Sequence, residues 1–168
     1  MNLVIRFQRL EKRYPKRILI LRDGFVQANE FKSTIKALQE QDIVVDILSV
    51  RKSGAGRMAM QHNNNYKDAP PGTAVLSQDN KTFLLITSEA RAGGSARPLK
   101  CVRDSGDAPL EILAKQVYRL SLLHPASAFS SSRLPMVLHF ADKMAKDIQR
   151  LGQIAILQSV DREKIFFA

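Results

Sequence analysis

Two short apolar runs that do not alternate, RILILR (17–22) and DIVVDILSV (42–50), constrain this chain more than any other feature. A strand that is apolar on every residue has both faces covered, as in the parallel sheets of α/β proteins. Between the runs, Phe31, Ile35 and Leu38 recur at helical spacing and predict a helix over 30–40. Strand, helix and strand in that order imply two parallel neighbours joined by a right-handed crossover.

The flanking segments extend this core. Leu3, Val4, Phe7 and Leu10 predict an amphipathic helix over 2–13, which Pro15 ends. The stretch 51–73, polar and glycine-bearing, reads as a long functional or mobile loop closed by the Pro70-Pro71-Gly72 turn. Ala74–Leu76 and Thr82–Thr87 read as a hairpin around Ser77–Asn80, and 89–98 as a second basic, glycine-rich loop. Leu110, Leu113, Val117 and Leu120 predict a helix over 109–123. A last helix is expected from about Pro135, with Val137, Ala141, Met144 and Ile148 on its buried side. The fold class is α/β, one domain, with a mixed sheet and flanking helices.

Charge narrows the partners. Lys and Arg number 26 against 16 Asp and Glu, a net charge of +10, and the first 22 residues hold seven basic side chains against Glu11 alone. Such an excess favours a polyanion, with nucleic acid ahead of an anionic membrane surface. No apolar run approaches the roughly 20 residues that span a bilayer. The single cysteine, Cys101, excludes an intrachain disulfide and a thiolate zinc site, and points to a reducing, cytoplasmic setting.

Two carboxylates and several basic loops are the candidate chemistry. Asp23 ends the first apolar strand, where open α/β sheets gather their active-site residues, and Gly24 permits a sharp turn behind it. Asp142 lies one residue past the expected buried stripe of the last helix. If the two converge, their oxygens suit Mg²⁺ or Mn²⁺. The plainer readings are a strand-ending turn at Asp23 and a solvated carboxylate paired with lysines at Asp142. Arg51, Lys52 and Arg57 follow the second strand among Gly54 and Gly56, Arg91 and Arg97 bracket AGGSA with Ser95 inside it, and Arg133 closes a serine-rich segment. Strand end, glycine and arginine together suit phosphate contact. His62, His124 and His139 show no ligand spacing, and the serines lack a nucleophile-elbow context.

In chain order, RILILRDGF, DILSVRKSGAGR, PPGTAV, TFLLITSEARAGGSARP, LPMVLHFADKMAKDI and DREKIFFA resemble the C-terminal part of the PIWI domain of prokaryotic Argonaute proteins. The resemblance implies an RNase H-like fold, of which residues 1–168 would form a single partial domain. It implies guide and target nucleic-acid strands, DNA or RNA, as partners, and metal-dependent phosphodiester cleavage in the complete parent. By motif, Asp23 and Asp142 match two members of the family's acidic tetrad. Lys52, Arg57 and Arg97 match guide-phosphate contacts, and the carboxylate of Ala168 matches a metal ligand of the guide 5′-phosphate pocket. Ser95 stands where threonine is common. The first tetrad aspartate, the glutamate finger and the MID domain have no match here, so a polypeptide carrying the upstream PIWI and MID regions is an expected partner. The first strand would then present an open apolar edge. The chain alone is expected to bind nucleic acid without cutting it; a catalytically inactive binding module and a fragment without independent role are the alternatives.

Overall fold

Parallel pairing of the two apolar runs founds the sheet. The computed structural model describes residues 2–90, 94–123 and 133–151. In chain order the elements are α1 (Asn2–Glu11), β1 (Arg17–Asp23), α2 (Lys32–Gln39), β2 (Val44–Arg51), β3 (Ala59–His62), β4 (Asn65–Asp68), β5 (Ala74–Leu76), β6 (Thr82–Leu85), β7 (Leu99–Ser105), α3 (Leu110–Leu122) and α4 (Met136–Leu151). Five strands form one sheet in the order β1-β2-β7-β6-β5, and β3 and β4 pair separately. β1 and β2 run parallel, with Arg17 opposite Val44 and Asp23 opposite Val50, whereas β7, β6 and β5 join antiparallel. The sheet is therefore mixed, as expected.

Both faces of β1 and β2 carry core. On one side Leu19 and Leu21 pack against a buried cluster that includes Leu48, Val50, Phe83, Leu113, Val117 and Leu138, so α3 and α4 cover this face. On the other, Ile18 and Ile20 join Leu38, Ile43, Val45 and Ile47 beneath α1 and α2. This double cover is why neither strand alternates in sequence.

One strand goes beyond the elements expected from sequence, and two expectations need correction. The segment 99–105 is a strand, and it lies at the centre of the sheet between β2 and β6. Its Lys100, Arg103 and Asp104 hide the apolar pattern. Arg103 spends its guanidinium on the carbonyls of Ala108, at 2.6 Å, and Asn80, at 2.7 Å. The register between β2 and β7 shifts at Ile47/Leu48, and Asp104 there accepts from the Ser49 amide at 3.0 Å and the Ser49 hydroxyl at 2.5 Å. The stretch 51–73 contains the β3–β4 hairpin. Its turn residues Asn63 and Asn64 both have positive φ, 47° and 61°, so the Asn-Asn pair was the available signal for a two-residue turn. Finally, α4 docks through Pro135 and Leu138 near its start, whereas Val137 and Met144 are 45% and 40% exposed and Ala141 is exposed. The helix touches α3 and β1, and the face it turns to them passes through Leu138 and, one turn on, Asp142.

The open edge is present. Among the described residues no strand pairs with the outer side of β1. On α1, only Val4 joins the core, and Leu3 and Leu10 are 82% and 73% exposed.

Among the described residues, one charged side chain is fully buried. Asp46, on β2, accepts from Arg17 Nη1 at 2.6 Å and from the Ala108 amide at 3.0 Å. Gly106 passes over it with φ +98°, and a Cβ there would fall 2.1 Å from Asp46 Oδ1. Only glycine fits so close a backbone approach.

Candidate nucleic-acid interface and carboxylate pair

Asp23 and Val50 are opposite one another at the carboxyl ends of two parallel strands, so Asp23 and the residues following β2 emerge together. The Gly24 amide donates to the Val50 carbonyl at 3.0 Å, and Gly24 takes φ +85°, turning the chain away behind the carboxylate. Arg22 braces this turn. Its Nη1 donates to the carbonyl of Asp23, and its Nε donates to Glu30 Oε1 at 2.7 Å. Glu30 Oε2 in turn accepts the Gln27 amide at 3.0 Å. The Gln27 amide and the Arg22 guanidinium hold the Glu30 carboxyl below its ordinary value. The Val26 amide reaches Ser49 Oγ at 3.3 Å, which fixes the same loop to β2.

α4 brings the second carboxylate. Lys52 Nζ lies 2.8 Å from Asp23 Oδ2 and 3.4 Å from Asp142 Oδ1, so two acids 119 positions apart in the chain share one ammonium. Lys146, one turn along α4, holds Asp142 Oδ2 at 2.9 Å. That hydrogen bond, with the charge of Lys52 behind it, lowers the Asp142 carboxyl below the usual aspartate range. Partial burial opposes the charge on Lys52, but Asp23 and then Asp142 outweigh it and raise the lysine above its ordinary value. The spot thus already holds a cation between oxygen donors, and its chemistry fits Mg²⁺ or Mn²⁺, whose ligands would be Asp23 and Asp142. Among the described residues no group of three or more His, Cys, Asp or Glu side chains gathers in this way.

The basic residues divide into two kinds. Arg57 and Arg97 are exposed, and Ser95 is half-buried in the loop before β7. The Ala96 amide beside them donates to Asp68 Oδ1 at 3.3 Å, which ties that loop to the β3–β4 hairpin. Arg51 and Arg133 are committed to the protein. The Arg51 guanidinium lies 3.6 Å from the centroid of the exposed Phe25 ring, a cation–π contact. Arg133 Nη2 donates to the carbonyls of Lys52 and, at 3.3 Å, Pro98, while its own carbonyl accepts the Thr87 hydroxyl at 2.5 Å. Burial and then the nearby charge of Arg97 lower the Arg133 guanidinium. Arg133 therefore joins the ends of β2 and β6 and the start of β7, a bracing role for which the sequence carries no signal. Arg91 and Ala168 lie outside the described residues. Cys101 is buried, and burial pushes its thiol up to about 12, so it supplies neither a ligand nor a nucleophile.

Relatives share this arrangement of elements. The argonaute protein of Synechococcus elongatus is 47% identical over 98% of this chain and 23% of its own length. That of Thermus thermophilus is 46% identical over 96% of the chain, again 23% of the relative. The chain thus spans about a quarter of the curated relatives it matches. A Clostridium butyricum Argonaute, solved with a guide DNA and a 19-mer target DNA, superposes with a TM-score of 0.77 at 29% identity, covering 90% of this chain and 20% of that one. Marinitoga piezophila Argonaute, solved with a guide RNA and a target DNA, matches with a TM-score of 0.67 over 86% of this chain and 21% of that one, and at 16% identity this likeness is one of fold. The family model for the Piwi domain matches residues 1–152, and the chain belongs to that family.

Proposed function

We propose that this chain is the nucleic-acid-binding part of an Argonaute-type, guide-directed endonuclease. Its basic strand ends grip the phosphates of guide and target strands, and its Asp23–Asp142 pair supplies two carboxylates of a Mg²⁺ or Mn²⁺ site. The observation that carries the reading is the convergence of both aspartates on Lys52 at the carboxyl ends of β1 and β2. Exposed Arg57 and Arg97 supply phosphate contacts, and Arg51, stacked on Phe25, adds its charge at the same strand end. Lys52 and Ser95 line the same end, and Arg91 and the Ala168 carboxylate are assigned to it by motif. A bound divalent ion would stabilise charge on the reacting phosphodiester. Arg133 contributes by holding Lys52 and Pro98 in place.

Two carboxylates are a thin ligand set for such a metal site, so cleavage requires further ligands, which a polypeptide carrying the upstream PIWI and MID regions would provide. With no third acid joining the pair among the described residues, the second reading is a module that binds without cutting.

Anisotropy of a labelled single-stranded oligonucleotide tests the binding half. Affinity should fall with salt, and Arg57→Ala and Arg97→Ala should each reduce the log–log slope by about 0.7–0.9. Mixed with the upstream polypeptide, a guide and Mn²⁺, the chain should cut a matched target, and Asp23→Ala should abolish cutting while binding survives. Equal loss of both sinks the assignment of Asp23; no cutting by the unsubstituted mixture selects the binding module.

A further inference from the structure

The two aspartates face each other across an ammonium. Lys52 Nζ, 2.8 Å from Asp23 Oδ2 and 3.4 Å from Asp142 Oδ1, offsets the repulsion between the two carboxylates, and it does so from a chain position fixed independently of its side chain. The Lys52 carbonyl is held by Arg133, and the loop opposite is held by Arg22, Glu30 and Ser49. Lys146 does not share the role, since it pairs with Asp142 alone and from the outer side. Building on the metal-site reading above, we propose that Lys52 is the resident counter-ion of the aspartate pair, and that a divalent cation enters by exchange with its ammonium.

The chemistry of exchange is direct. One ammonium donates to one oxygen of each carboxylate; Mg²⁺ or Mn²⁺ would take those same oxygens, so the two cations exclude one another. A lysine stem has four rotatable carbons and a compact, strongly hydrated head, and can swing away while its main chain stays. Lys52 thereby keeps the pair together before metal arrives and lowers the apparent metal affinity by occupying the ligands. Two half-exposed ion pairs set that competition at about tenfold.

The test is calorimetric titration of Mn²⁺ into this 168-residue chain and its variants. Lys52→Met and Lys52→Gln should each bind Mn²⁺ about tenfold more tightly than the unsubstituted chain, and Mn²⁺ should raise their melting temperature further. Asp23→Asn should lose the binding in either background. Equal or weaker binding by both Lys52 variants, with Asp23→Asn still lowering it, overturns the exchange and leaves the metal site standing. Binding that ignores Asp23→Asn overturns the metal site itself, and Mn²⁺ that binds neither chain nor variant overturns the exchange. Should the variants fail to fold, acylation of the unsubstituted chain decides: Mg²⁺ should raise labelling of Lys52 relative to exposed Lys36, and an unchanged ratio refutes the displacement.

Discussion

Leu138→Ala probes how α4 delivers Asp142 to the end of the sheet. Leu138 is 4% exposed, packs in the cluster formed by Leu48, Val50, Phe83, Leu113 and Val117, and stands one helical turn before Asp142. The substitution removes three carbon atoms, a transfer loss of about 2.4 kcal/mol at roughly 0.8 per methylene. The cavity left behind adds to this, and the site lies near a helix start that can relax, so the total should be about 3 kcal/mol. Against a native stability of roughly 5–15 kcal/mol this is a large fraction. With a urea dependence of about 2 kcal/mol per molar, the unfolding midpoint should drop by about 1.5 M without change in slope. Val137→Ala and Met144→Ala, on the exposed side, should each cost under about 1 kcal/mol. The reasoning is refuted if Leu138→Ala costs less than about 1 kcal/mol, or if Val137→Ala or Met144→Ala costs more than Leu138→Ala; either result would mean that α4 docks by the other face and that Asp142 points elsewhere.

Other sites give shorter tests. Gly106→Ala should destabilise by more than about 2 kcal/mol in the same assay, because its φ of +98° and the 2.1 Å approach to Asp46 both oppose a side chain. In the turn between β5 and β6, the amides of Lys81 and Thr82 lower the Asp79 carboxyl. Its stabilising contribution should be complete above the unfolded aspartate value near 3.9 and fade as pH falls through the lower folded value, which carboxyl NMR titration would place beneath the unfolded one. The open edge of β1 and the uncovered Leu3 and Leu10 of α1 should drive self-association, seen as a light-scattering mass that rises with concentration; Leu3→Glu with Leu10→Lys should reduce it, and a concentration-independent monomer would contradict the expectation.

The parts of the fold legible in sequence are those whose pattern is local. β1, α2 and β2 are marked by apolar runs and a helical repeat, and each lies within two residues of its expected bounds at either end. β7 was hidden because its polar residues are satisfied by groups far away in the chain, Asp104 by Ser49 and Arg103 by Ala108 and Asn80. On α4 the most apolar stripe is not the buried one, since docking is decided by where the helix starts against α3 and β1 rather than by its periodicity. The meeting of Asp23 and Asp142 was expected from motif alone; nothing in the spacing shows it. That Lys52 would sit between them, and that Arg133 would serve carbonyls rather than face solvent, depends on contacts distant in the chain, such as that of Arg133 with Lys52, 81 positions apart. Side chains of one type in similar loops thus take opposite duties, which composition cannot separate.

The tie made by Arg133 has an architectural corollary. Because one guanidinium clasps the main chain at Lys52 and at Pro98, the segments 53–57 and 94–97 begin or end at fixed posts. Their lengths and side chains can drift without moving the strand ends that carry Asp23 and Lys52. Relatives could therefore retune how tightly or how broadly they hold a polyanion by rewriting those loops, while the acids beneath keep their places.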